Sequence, residues 1–190
     1  MSKIYDYWQW PKMINIEEIK KVVNICESNV SPLGDKRGLP LDGEEPITKT
    51  AKVTCTQWRY LSEILGEVYE AWQGCNQFEF GYNLFPIQKN TFLNYNVYDS
   101  SNSGEYDFHI DCSDSDIFDV KLTAMINLSE EYYEGGDLIL FTASQFRKIS
   151  EFSPPGSSIM FKSWIPHKVT PVTKGIRKTI SYWFSGPRFI

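Results

Sequence analysis

From Phe78 onward the chain is a succession of short segments in which apolar and polar residues alternate, and no other feature narrows the possible folds as much. FEFGYNLF, TFLNYNVY, YDFHID, VKLTAMINL, GDLILF, SIMFKS and TISYWFS are separated by Gly, Pro, Asp and Ser. A period of two places successive side chains on opposite faces, so each segment reads as a half-buried strand. Aromatic residues make up 15% of the chain and many fall in these segments, which suits a pleated surface.

Upstream the period lengthens. In 15–28, Ile16, Ile19, Val22, Val23 and Cys26 share one helical face, with Asn15 placed to cap and Glu17 and Glu18 in the first turn. Within 57–74, Trp58, Leu61, Ile64, Leu65, Val68, Tyr69 and Trp72 form a second stripe, with Gly74 expected at its C-terminal end. Between them, 30–50 is rich in Pro, Gly and charge and reads as a loop, of which 31–46 is placed to act as a lid or a plain connection. Neither helix brings a second core, so one unit over 1–190 is expected. It comprises a helical and loop support region at 1–77 and a β core at 78–190. The expected fold class is mainly β with N-terminal helices (α+β), around a sandwich or jelly-roll core.

A chain of 190 residues can bury a core, and a formal charge of -5 argues against general binding to nucleic acid or an anionic membrane. No apolar run approaches the ~20 residues that cross a bilayer, and the first residues lack a signal-peptide pattern, so a cytoplasmic protein is expected. Cys26, Cys55, Cys75 and Cys112 show no C-x-x-C spacing and read as buried thiols. The acidic run at 111–119 lacks the glycine and terminal glutamate of an EF-hand loop and reads as solvated.

The chain has two histidines, His109 and His167. His109 and Asp111 are two apart, so on a strand both reach one point. With His167 from a distant strand they make two imidazoles and one carboxylate, a facial set that suits iron(II) and leaves positions open. Arg177 follows His167 by ten residues across a turn marked by Thr173, Lys174 and Gly175. If the two strands pair as a hairpin, one register sets Arg177 on the His167 side, where its guanidinium forks onto a dicarboxylate whose other end chelates the metal. Ser181 shares that face. Singly each residue has a bland reading, a structural histidine or a surface charge; their order and strand context argue together.

The segments YDFHID, LTAMINLSEEYYEGGDLILF and SSIMFKSWIPHKVTPVTKGIRKTISYWFSGP resemble the prolyl 4-hydroxylase-like branch of the iron/2-oxoglutarate dioxygenases, including the PKHD-type hydroxylases. Gly135-Gly136 before a strand, Pro171-Val172 and Trp183 carry the likeness further. The resemblance implies a double-stranded β-helix (cupin-like) core, with His109, Asp111 and His167 as metal ligands and catalytic centre. It implies Fe(II), 2-oxoglutarate as co-substrate and ascorbate as reductant, with succinate and CO2 as co-products. Arg177 is then the 5-carboxylate ligand, Tyr106 matches a recurrent position, and either Tyr95 or Tyr98 donates a phenol to the co-substrate. It further implies hydroxylation of a substrate C–H, with peptidyl proline first, a free amino acid or small metabolite as the alternative, and a non-catalytic jelly-roll module as the competing class.

Overall fold

The computed structural model describes residues 5–29, 49–111 and 116–189. The proposed lid at 31–46, Cys112 and part of the acidic run lie outside the described residues. A six-stranded antiparallel sheet runs β1 (Tyr7–Trp10), β9 (Ser158–Lys162), β5 (Phe118–Asn127), β12 (Ile176–Pro187), β3 (Phe92–Asp99) and β2 (Lys52–Gln57) in spatial order. A four-stranded sheet runs β4 (Tyr106–His109), β10 (His167–Val169), β7 (Leu138–Thr142) and β8 (Gln145–Lys148). A small pair joins β11 (Val172–Lys174) to β6 (Glu134–Gly135). The expected β core with N-terminal helices is present, and the region 1–77 contributes β1 and β2 as the edges of the large sheet, beyond the support expected of it.

Both helices form for the expected reasons. In α1 (Ile16–Ser28) the Asn15 side chain accepts from the N–H groups of Glu17 and Glu18, and Glu18 reaches back to the Asn15 N–H at 2.8 Å, a capping box. Helix α2 (Trp58–Cys75) buries Trp58, Leu61, Leu65, Val68 and Trp72. Gly74 does not end it. The chain continues through a π-helical turn, Asn76–Phe80, and stops at Gly81, whose φ of 73° is left-handed. The Asn76 side chain accepts from the Tyr82 N–H and donates to the Tyr82 carbonyl, substituting for a strand partner, so FEFGYNLF makes no strand.

Strand parity sorts the large sheet into two chemistries. Leu93, Tyr95, Leu122, Ala124, Ile126, Ile180, Tyr182 and Phe184 face the helices in one apolar cluster. The Trp72 indole N–H donates to Ser158 Oγ at 2.9 Å and ties α2 to β9. On the opposite face Met125, Ile159 and Phe161 pack against Leu138 and Leu140 of the small sheet. Asp6 links the two sheets, accepting from Thr142 Oγ1 at 2.5 Å and pairing with Lys162 at 3.0 Å. Among the described residues no helix is long and apolar enough to cross a membrane. Cys26, Cys55 and Cys75 are buried, as expected, and the Cys55 Sγ donates to Asn94 Oδ1 at 3.3 Å.

Trp72→Ala removes the largest fully buried side chain and its hydrogen bond together. It should cost about 3–5 kcal/mol of unfolding free energy, read from the midpoint shift in a urea titration at unchanged slope.

Candidate metal centre

His109 ends β4 and His167 begins β10, and the two are directly paired across the small sheet. Asp111 follows β4, held by its N–H donating to the Ser163 carbonyl at 2.9 Å. The three side chains each bring one ligand atom within 4.8 Å of the others. His109 Nε2 lies 3.8 Å from Asp111 Oδ1, and His167 Nε2 lies 3.4 Å from Asp111 Oδ2.

Each imidazole is oriented from behind. His109 Nδ1 sits 2.7 Å from the Asp107 carbonyl and His167 Nδ1 sits 2.9 Å from the Ile165 carbonyl. A carbonyl accepts only, so both rings carry their proton on Nδ1 and present the Nε2 lone pair to the shared point. Burial and the neighbouring His167 charge depress the His109 pKa to about 4, against the opposing pull of Asp107 and Asp111, which keeps it neutral at pH 7. Burial pushes Asp111 upward, yet His167 and the 2.6 Å hydrogen bond donated by Thr123 Oγ1 outweigh it and hold the carboxyl at about 2. The Trp183 indole N–H also lowers it from nearby without closing a hydrogen bond of ordinary geometry. Two imidazoles presenting Nε2 and a carboxylate thus converge on a point that suits a divalent cation, and three ligands leave coordination positions open.

The surrounding wall comes from both sheets. Lys49, Asn96, Tyr98, Thr123, Ser181 and Trp183 line one side, and Tyr106, Leu138 and Val169 the other. Arg177 is 1% exposed, lies 5.1 Å from the Tyr98 ring and 5.7 Å from the Phe152 ring, and its Nη2 has no hydrogen-bond partner. A buried guanidinium nitrogen without an acceptor is costly, and it fits an incoming carboxylate.

Arg177 reaches this place by a different route from the one expected. There is no hairpin between its strand and that of His167. β10 pairs with β4 and β7, whereas β12 pairs with β3 and β5, so the two residues come from opposite sheets. The turn marked by Thr173, Lys174 and Gly175 instead joins β11 to β12. Gly136, with φ of 60°, makes room for the arginine: a Cβ there would meet Arg177 Cδ at 2.8 Å.

Parity separates the tyrosines. Tyr98 pairs with Arg177 and lines the pocket, and burial raises its phenol pKa, partly offset by the Arg177 charge. Tyr95 points to the helical side, where its hydroxyl donates to Glu27 at 3.0 Å; it is not a pocket residue. Tyr106 stacks on His109 with ring centroids 3.5 Å apart. Ser181 accepts from Asn96 Nδ2 at 3.2 Å. Sequence reasoning missed Asn96, Thr123 and Lys49. The first two were legible as inward positions of alternating strands; Lys49 falls in the 30–50 stretch read as a loop and carried no periodic signal.

Residues 93–185 match the model of the 2OG-Fe(II) oxygenase superfamily. Over that stretch, just under half of its length, the chain is similar to that superfamily. A PKHD-type hydroxylase of Alteromonas mediterranea is 34% identical over 91 residues, covering 44% of this chain and 39% of that protein. PKHD-type hydroxylase PiuC of Pseudomonas aeruginosa is 29% identical over 87 residues, 42% of this chain and 38% of that one. The match therefore spans about two fifths of these curated relatives. Among solved structures, a Pseudomonas putida prolyl-4-hydroxylase superposes with a TM-score of 0.69 at 17% identity, covering 96% of this chain and 94% of that one. A prolyl hydroxylase from Trichoplax adhaerens, in complex with a hypoxia inducible factor peptide fragment, also gives 0.69 at 17% identity, covering 94% and 83%. The fold of this oxygenase chain is thus the jelly-roll of those enzymes.

Asp111→Ala should abolish saturable manganese(II) binding in calorimetry while the protein stays folded. Thr123→Val, which removes only the hydrogen bond behind the ligand, should weaken that affinity about 10–100-fold.

Proposed function

We propose that this chain is a 2-oxoglutarate-dependent hydroxylase of the prolyl hydroxylase type. The observation that carries the reading is the buried, unpartnered Arg177 Nη2 facing the same interior as the His109, Asp111 and His167 cluster. Iron(II) held by that cluster, together with 2-oxoglutarate and dioxygen, supplies the oxidative chemistry that releases succinate and CO2 and hydroxylates a substrate C–H bond. Ascorbate is the reductant that keeps the metal ferrous.

The residues of the chain do the positioning. His109, Asp111 and His167 would hold the metal, each through one ligand atom turned to a shared point. Arg177 forks onto the distal carboxylate, which sets the length and orientation of the co-substrate. Tyr98 sits beside Arg177 with its phenol in the pocket, and Ser181 offers a hydroxyl from the same strand face. Met125, Leu138 and Val169 make the apolar part of the lining and keep bulk water from the reacting atoms. For the prime substrate, a prolyl residue is the reading favoured by the structural neighbours, one of which is bound to a peptide.

The test is succinate release from iron(II)-loaded protein with 2-oxoglutarate and oxygen, across a library of proline-containing peptides and the free amino acids. Its absence throughout would overturn the proposal. Arg177→Met should weaken 2-oxoglutarate about 100-fold. Tyr98→Phe should cost roughly tenfold, whereas Tyr95→Phe should leave the affinity unchanged, a contrast that isolates strand parity from general disturbance.

A further inference from the structure

Lys49 lines the pocket as a cation distinct from Arg177, which is buried against Tyr98. It lies at the start of the described segment that leads into β2, bridged through its backbone to Tyr106 of β4. Its Nζ donates to Asn96 Oδ1 at 3.1 Å and sits 4.5 Å from the Tyr106 ring centroid. That ring in turn stacks on His109. Lys49 is therefore on the metal-ligand side of the cavity, whereas Arg177 is against Tyr98 and Phe152. Among the described residues the Asn96 bond is the one hydrogen bond of an ammonium that has three donors, and no carboxylate lies within ion-pair distance of it. A half-buried cation without an anion is a poor arrangement unless an anion arrives with a ligand.

Charge decides which ligand. With both histidines neutral, a ferrous ion held by one carboxylate keeps one positive charge, and Arg177 adds a second. The two carboxylates of 2-oxoglutarate balance these. Lys49 is left over, beside Asn96 and the Tyr106 ring.

We propose that Lys49 is the receptor for a carboxylate of the prime substrate. The substrate then carries a free acid within a few bonds of the carbon that reacts. It is a free amino acid or the C-terminal residue of a peptide, and a neutral residue inside a chain, which brings no carboxylate, is excluded. This rests on the 2-oxoglutarate reading of Arg177 and narrows it. Asn96 is the positioning partner. Its Oδ1 holds the ammonium, while its Nδ2 lies 3.2 Å from both the Asn94 carbonyl and Ser181 Oγ and 3.5 Å from Thr179 Oγ1, which fixes the amide orientation.

The experiment uses protein loaded with manganese(II) and 2-oxoglutarate, which binds ligands without turnover. The proteinogenic L-amino acids and their N-acetyl forms are titrated calorimetrically, each as the free acid and as the amide. At least one free acid should bind, with its amide weaker by about 10–100-fold. Lys49→Met should erase that preference and Lys49→Arg retain part of it. In Lys49→Met the affinity for 2-oxoglutarate should stay within about threefold of wild type, which also reports an intact site. Equal binding of acids and amides, or no binding by any acid, overturns the proposal. So does a loss of 2-oxoglutarate affinity in Lys49→Met as large as that in Arg177→Met, which would make Lys49 part of the co-substrate grip. If Arg177→Met leaves 2-oxoglutarate binding intact, the underlying reading fails first and takes this one with it.

Discussion

The register of β12 between β3 and β5 governs everything that happens inside the sandwich. Ser181 is paired with Asn94 on one side and Met125 on the other, and Arg177 with Tyr98. That register sends Arg177, Thr179, Ser181 and Trp183 inward, and Ile180, Tyr182 and Phe184 to the helices. A slip of one residue would turn the guanidinium to the helical side, where Lys178 now pairs with Glu27, and turn three large apolar side chains toward the metal cluster. The apolar face, covered by α1 and α2, therefore secures the polar one. Packing on one side of the sheet holds the chemistry on the other.

The metal cluster depends on the smaller sheet in a complementary way. β4 and β10 are too short to hold much by their own hydrogen bonds, yet they place His109 opposite His167. Backbone carbonyls behind each ring fix the tautomer, and Thr123, reaching across from β5 of the large sheet, fixes the carboxylate. The site is thus an interface between two sheets. Gly136 shows how tight that interface is, since even a methyl group there would strike the arginine stem.

Electrostatics within the pocket run against those of the whole molecule. The chain carries a formal charge of -5, but among the described residues the cavity is lined by Lys49 and one carboxylate, Asp111, with Arg177 buried beside Tyr98. Burial moves the Lys49 pKa down to about 8 while Asp111 draws it up and Arg177 adds to the decrease, so the two cations sense each other through the same interior. Such a pocket draws anions and discriminates among them by where their charges sit.

The sequence by itself determined the class of fold and marked the three side chains that the fold brings within 4.8 Å of one another. Alternation marked most of the strands that became β3, β4, β5, β7, β9 and β12, and the helical stripes marked α1 and α2, because burial on one face imposes a period that needs no partner to be read. Two histidines in the whole chain, one of them two residues from Asp111, left little choice of ligands. What needed the tertiary structure was every relation between strands. FEFGYNLF alternates like a strand, but Asn76 satisfies its backbone locally. The expected hairpin gave way to a jelly-roll crossing that places His167 and Arg177 in different sheets. Tyr95 and Tyr98 are equally plausible as letters, and only the pairing with β12 shows which faces inward. Lys49 falls in a stretch read as a loop, and a cation's partners are set by what folds around it, which no local pattern records.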